Sequence, residues 1–142
     1  MKNGDIGNRT APIIAFNIDN LLFKRDRKEG FIEGVKFAIA SDKIKYLSRP
    51  LNKLFVNTII DVWVKRPYSI YFITKHPFEK DIEDFLDFKT IPYTKLICIS
   101  DVFELRDLAV NQFTYYFDTD LKTISVVGKN ALSFDKLRDV IS

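Results

Sequence analysis

Several polar residues of this chain stand directly at the ends of short apolar runs. Asn17 and Asp19 close the run that begins at Pro12, Thr74 closes Ser69–Thr74, Ser100 follows Lys95–Ile99, and Asp118 and Asp120 end the run from Phe113. Carboxylate oxygens suit a hard cation such as magnesium. A threonine hydroxyl beside backbone N–H groups suits phosphate oxygens. Asp, Asn and Thr are also ordinary turn residues, so the weight lies in the ordered set and not in any one member. His76, the single histidine, precedes Pro77. It reads as a loop residue ahead of a helix, although an imidazole there could titrate near neutral pH. Cys98, the single cysteine, lies within LICIS and reads as a buried, inert thiol with no base to activate it.

These residues need a frame, and the hydropathy pattern supplies one. PIIAFNI, SIYFIT, KLICIS and FTYYFD are nearly uninterrupted apolar runs of strand length, the pattern of strands covered on both faces in a parallel sheet. TISVVG at 123–128 is a candidate fifth strand. Between them lie helical periodicities. LNKLFVNTIIDVWVK places Leu51, Leu54, Phe55, Ile59, Val62 and Trp63 on one face, with Ser48 and Pro50 suited to its start and Trp63 assigned to the core. PFEKDIEDFLDF puts Phe78, Ile82, Phe85 and Leu86 on one side and a solvated acidic face on the other. DVFELRDLAV is a helix capped by Ser100 or Asp101, and SFDKLRDVI a final helix with Ser133 as N-cap. Of Tyr115 and Tyr116, which alternate across a strand, at least one belongs to the core. Alternating strands and helices predict right-handed βαβ units in a three-layer α/β/α, Rossmann-like domain.

Composition agrees with a single domain. The 142 residues are 46% hydrophobic and 29% charged, with 13 phenylalanines, enough for one core and inconsistent with disorder or a coiled coil. One cysteine excludes an internal disulfide framework. No apolar run reaches membrane-spanning length and residues 1–11 read as a loose polar leader, so the expectation is a soluble, cytoplasmic protein with no membrane partner. The net charge of +3 is unevenly placed. Residues 24–53 carry nine Lys or Arg against four acids, beginning with Lys24, Arg25, Arg27 and Lys28. That stretch, 24–49 in particular, reads as a basic flap holding a β-hairpin around Ser41–Lys43. Its interleaved Phe23, Phe31, Phe37 and Tyr46 pack onto the domain or, alternatively, stack on nucleic-acid bases. Richness in Lys, Ile, Phe and Asn suggests an AT-rich genome, that of a bacteriophage or a low-GC bacterium.

Three segments in order resemble motifs of the haloacid dehalogenase-like (HAD) superfamily. IIAFNIDNLLF resembles its first motif, an apolar strand followed by Asp-x-Asp-x-Thr. SIYFITK resembles the second, a strand ending in Thr or Ser, and YYFDTD the fourth, a strand ending in acids. The resemblance spans roughly residues 12–128 and places the basic stretch where the family carries its flap, with no large cap domain. It implies that Asp19 holds the acid/base position, Thr74 (with Arg106 as a cationic substitute) the phosphoryl group, and Asp118, Asp120, Asn17 and Asp19 a magnesium ion. The departures fall on the chemistry. Asn17 stands at the nucleophile position, where a neutral amide cannot form an acyl-phosphate. Leu21 replaces the motif's Thr, and no Lys precedes the fourth motif except Lys95, at a strand start. An engineered Asp-to-Asn exchange would account for Asn17 but not for the other two losses.

The leading expectation is therefore a non-catalytic HAD-like binding or regulatory module, with a protein partner on the basic stretch and at most a weak cation and phosphate site. One alternative is a magnesium-dependent phosphohydrolase acting on a nucleotide or another phosphate ester, with Asn17 engineered or compensated. A second is a nucleic-acid-binding accessory protein using residues 24–53. A receiver-like domain is the rival fold, but its phosphoacceptor acid would end the third strand, where Ser100 stands.

Overall fold

A computed structural model describes residues 12–24, 47, 49–65 and 68–141. Five strands, β1 (Ile13–Asn17), β2 (Ser69–Thr74), β3 (Lys95–Cys98), β4 (Tyr115–Asp118) and β5 (Ala131–Ser133), form one sheet in the order β3-β2-β1-β4-β5. Every pairing is parallel. The helices are α1 (Ile18–Leu21), α2 (Lys53–Lys65), α3 (Glu79–Phe88), α4 (Val102–Asn111), α5 (Leu121–Val127) and α6 (Leu137–Ile141).

Strand side chains alternate between two cores, as period two requires. Ile14, Phe16, Ile70, Phe72 and Phe117 pack against Phe55, Ile59 and Val62 of α2, Ile82 and Leu86 of α3, and Leu137 of α6. Ala15, Ile73 and Tyr116 face the other way, onto Leu105 and Ala109 of α4 and Val127 of α5. The expected three-layer α/β/α, Rossmann-like architecture is the one observed. Much of the phenylalanine content is spent on the first core: Phe16 stacks on Phe117 at 5.5 Å and meets Phe55 edge-on at 5.7 Å. In receiver-like domains the third strand lies inside the 2-1-3-4-5 order; here β3 is an edge strand.

Several boundaries differ from the sequence pattern. The β-branched run 123–128 is not a strand but most of α5. Asp120 caps that helix, accepting from Lys122 N–H and from the Thr123 hydroxyl at 2.6 Å, and a capped turn outweighs weak β propensity. The helix stops at Gly128, whose φ of 117° suits glycine alone, and the fifth strand is Ala131–Ser133, beside β4. Ser133 precedes a 3₁₀ turn, Phe134–Lys136, but its side chain makes no cap bond.

Helix α2 begins at Lys53 rather than at Ser48 or Pro50. Asn52 accepts from Phe55 N–H at 3.4 Å and donates its amide to the Leu21 carbonyl at 3.0 Å, so the cap also ties α2 to α1. Trp63 is not core: with Phe55, Ile59 and Val62 taking the sheet side, it is 37% exposed, and Leu54 is exposed as well. At α4 the cap is Asp101, which accepts from Phe103 and Glu104 N–H, both at 3.0 Å.

The predicted flap hairpin and leader lie outside the described residues, but both ends of the basic stretch are in place. Phe23 bridges Leu51 in antiparallel fashion, and Lys24 N–H donates to the Pro50 carbonyl at 2.7 Å. The stretch thus leaves and rejoins the domain at one point. Among the described residues no helix is long and apolar enough to cross a membrane.

Candidate functional site

The strand order reverses outward direction between β1 and β4, and ligands of open α/β sheets collect beyond the carboxyl ends of the strands at such a switch point. Asn17 ends β1 and Asp118 ends β4. They meet across the crevice: Asn17 Nδ2 donates to Asp118 Oδ2 at 3.0 Å.

Asp118 is fully buried and collects donors on both oxygens. Tyr116 Oη donates to Oδ2 at 2.6 Å, while Asn20 Nδ2 at 2.8 Å, Thr119 N–H at 2.7 Å and Asp120 N–H at 3.2 Å converge on Oδ1. A buried carboxylate is tolerable when its lone pairs are filled in this way. Burial, and then the adjacent Asp118 charge, push the Tyr116 hydroxyl far above its ordinary range, so it stays a proton donor.

Asp19 turns the other way, towards β2. Its Oδ1 accepts from the Thr74 hydroxyl at 2.7 Å and its Oδ2 from Lys75 N–H at 2.8 Å. Thr74 itself is buried, and its oxygen accepts from His76 N–H at 3.1 Å, which leaves the hydroxyl proton for Asp19. The His76 side chain comes in as well. It is buried, lies flat against Phe78 at 5.1 Å, and holds Nε2 3.9 Å from Asp19 Oδ1. Burial lowers its pKa, and the Asp19 charge only partly opposes that. The imidazole is therefore neutral at neutral pH.

The expected set thus divides. Asn17 joins Asp118 and Thr74 joins Asp19, while Asp120 spends its carboxylate on capping α5. Arg106 is exposed on α4 with its guanidinium 5.3 Å from the Phe103 ring centre. Lys95, at the start of β3, lies against Tyr71. Lys24 is exposed, and Arg25, Arg27 and Lys28 lie outside the described residues.

As arranged, the Asp118 and Asn17 oxygens that the resemblance assigns to magnesium are engaged by protein donors. A hard cation needs carboxylate or carbonyl oxygens turned towards it. Both Asp118 oxygens face N–H and O–H protons, and Asn17 Oδ1 accepts from Asp19 N–H at 2.9 Å. Among the described residues no three His, Cys, Asp or Glu side chains are grouped to hold a metal ion.

Three participants escape the motif pattern: Asn20, Lys75 N–H and the Tyr116 hydroxyl. Tyr116 was accessible in principle, since residues two apart on a strand share a face and Asp118 follows at that interval. Asn20 and the Lys75 amide depend on how the turns fold back. His76, which the sequence leaves in a loop, also belongs to the cluster.

Cys98 pairs in register with Thr74 on β3. Cys98 is half-buried at the end of β3 and not in a buried mid-strand position; partial burial, then Glu79 and Asp19, push its thiol up to about 11, which disfavours the thiolate. A groove of about 530 Å³ lies elsewhere, between α3 and residues 91–96, rimmed by Glu79, Glu83 and Asp87 with Trp63 and Tyr93 in its walls. Burial and those acids raise the Tyr93 hydroxyl to about 12. The chain matches no family model, no curated protein and no solved structure.

Proposed function

We propose that this chain is a non-catalytic binding module on a HAD-like α/β scaffold, with a strand-end crevice that serves structure instead of phosphoryl transfer. The observation that carries the proposal is the Asn17–Asp118 hydrogen bond. A carboxylate at position 17 would face Asp118 at the same separation and would need a shared proton or a cation between them. The amide removes one charge, supplies a donor, and makes the crevice self-sufficient. It also removes the nucleophile that an acyl-phosphate route requires. Partner recognition is assigned to the basic stretch opened by Lys24, Arg25, Arg27 and Lys28, whose surplus of positive charge suits an acidic protein surface.

The test is turnover of a panel of phosphate esters, nucleotides included, with and without magnesium. No magnesium-dependent hydrolysis is expected. Hydrolysis that disappears in Asp19→Asn or Asp118→Asn would return the crevice to an active phosphohydrolase. Steeply salt-dependent binding of single- or double-stranded nucleic acid, lost when the four basic residues become Glu, would reassign the partner to nucleic acid.

A further inference from the structure

Trp63 and the acidic face of α3 have no part in the strand-end crevice, yet they meet at one groove. It encloses about 530 Å³ between α3 and residues 91–96, with the Trp63 and Tyr93 rings in its walls. That is the size of a ligand site. Tyr93 is fixed by stacking on Phe72 at 5.6 Å. Along the rim Glu79, Glu83 and Asp87 stand four residues apart on α3, so their carboxylates form one row with a step of about 6 Å. None of the three forms an ion pair among the described residues, whereas Asp84 is paired with Lys80 at 2.8 Å. Burial, then Asp87, Glu83, Asp84 and Glu79, raise the Tyr93 hydroxyl across the groove, so the field of the row falls within it. The ammonium of Lys95 lies against Tyr71, a residue of the opposite core.

The groove also runs beside an open sheet edge. β3 is an outermost strand. Thr94 N–H donates to the Ile70 carbonyl of β2 at 2.7 Å, so alternation points the Lys95 and Ile97 backbone groups away from the sheet. Such an edge accepts an added strand. On that strand the side chains of one face recur every two residues, about 6.6 Å. The step matches the carboxylate row closely enough for flexible lysine side chains to follow it.

We infer that this groove binds an extended basic segment of another protein, with the pattern Lys-x-Lys-x-Lys, added to β3 as a sixth strand. Its ammonium groups meet Glu79, Glu83 and Asp87, and its aliphatic stems lie against Trp63 and Tyr93. Charge complementarity selects the occupant, and the open edge sets its extended form. The surface is separate from the basic stretch and from the crevice, and it gives a role to the exposed Trp63 ring.

Trp63 is the single tryptophan of the chain, so its emission reports the groove without a label. The full chain is titrated with a capped Lys-Val-Lys-Val-Lys-Val peptide, with Lys-Lys-Lys-Val-Val-Val and with Glu-Val-Glu-Val-Glu-Val. Two further alternating peptides are N-methylated, one at its valines and one at its lysines. The alternating lysine peptide is expected to change Trp63 emission saturably, more weakly as salt rises. The block and glutamate peptides should bind at least about tenfold more weakly, as should the alternating peptide on a folded Glu83→Lys/Asp87→Lys variant. Only alternate N–H groups of an added strand face β3, so one methylated peptide binds and the other does not. The inference is overturned if Trp63 emission does not respond, if the double variant or the block peptide behaves like the reference pair, or if the two methylated peptides act alike. A salt-sensitive, concentration-dependent change of Trp63 emission without peptide would give the groove to a second copy of this chain and overturn the assignment to another protein.

Discussion

The two sides of the crevice handle a carboxylate in opposite ways. On the β1–β4 side, Asp118 is fully buried, and its donors come from Asn17 at the end of β1, Asn20 in α1, Tyr116 within β4 and the turn after β4. On the β1–β2 side, the Asp19 side chain keeps about a fifth of its surface exposed (19%), accepts from the Thr74 hydroxyl and Lys75 N–H among the described residues, and sits beside a titratable ring. The first behaves as a lock, whose loss strands buried donors. The second behaves as a latch, because Lys75 N–H can turn to water and only the Thr74 hydroxyl is buried. Burial of the carboxylate, more than the charge itself, separates the two.

The sharpest way to break that contrast is to truncate both acids. Asp118→Ala leaves the Asn17 and Asn20 amides and the Tyr116 hydroxyl without their acceptor, at a cost of about 3–5 kcal/mol. Asp19→Ala should cost about 1–2 kcal/mol, since Lys75 N–H reaches solvent and only the buried Thr74 hydroxyl loses an acceptor. Urea midpoints at unchanged slope measure both, and equal losses would erase the distinction.

Asn17→Asp turns the lock's donor into a second carboxylate, with an expected cost of about 2–4 kcal/mol at neutral pH. The shared pair raises one folded-state pKa, so stability is present at low pH and lost as pH rises through the raised value. Magnesium should stabilise this variant and leave wild type unchanged in the same melting experiment. A variant indifferent to both pH and magnesium would mean that position 17 does not face Asp118.

Tyr116→Phe deletes one charged hydrogen bond while keeping the ring, which predicts a loss of about 1–2 kcal/mol. A neutral result in chemical denaturation would place the hydroxyl outside the lock.

The smallest effect belongs to the latch. His76 has a folded-state pKa below its ordinary 6.5 because burial outweighs Asp19. Its contribution is therefore complete above about 6.5 and is lost as pH falls through the depressed value, where the unfolded chain binds the proton first. His76→Gln should flatten the stability profile on the acid side and leave it unchanged above pH 7. An NMR titration with a midpoint above 6.5 would reverse the sign and give Asp19 control of the ring.

The sequence alone carried most of the frame. Strands β1 to β4 are legible because a strand buried on both faces must be apolar at nearly every position, and PIIAFNI and SIYFIT leave little else to choose. The motif order likewise pointed to Asn17, Asp19, Thr74 and Asp118 as strand-end neighbours. Element ends were less legible. The α5 region reads as a strand because its β-branched content is a weak local preference that one capping aspartate overrides. Trp63 reads as core because helical periodicity says which residues share a face but not how wide a stripe the sheet will cover.

Which partner each polar group takes was decided by tertiary structure. Asn17 and Asp118 lie 101 positions apart, and the parallel register of β1 on β4 brings them together. Asp19, two residues beyond Asn17, is sent to the opposite side of the crevice by the turn of α1. Sequence spacing placed the carboxylates at one end of the sheet. Hydrogen-bond direction, which exists only once the strands are in register and the turns are closed, made one a lock and the other a latch.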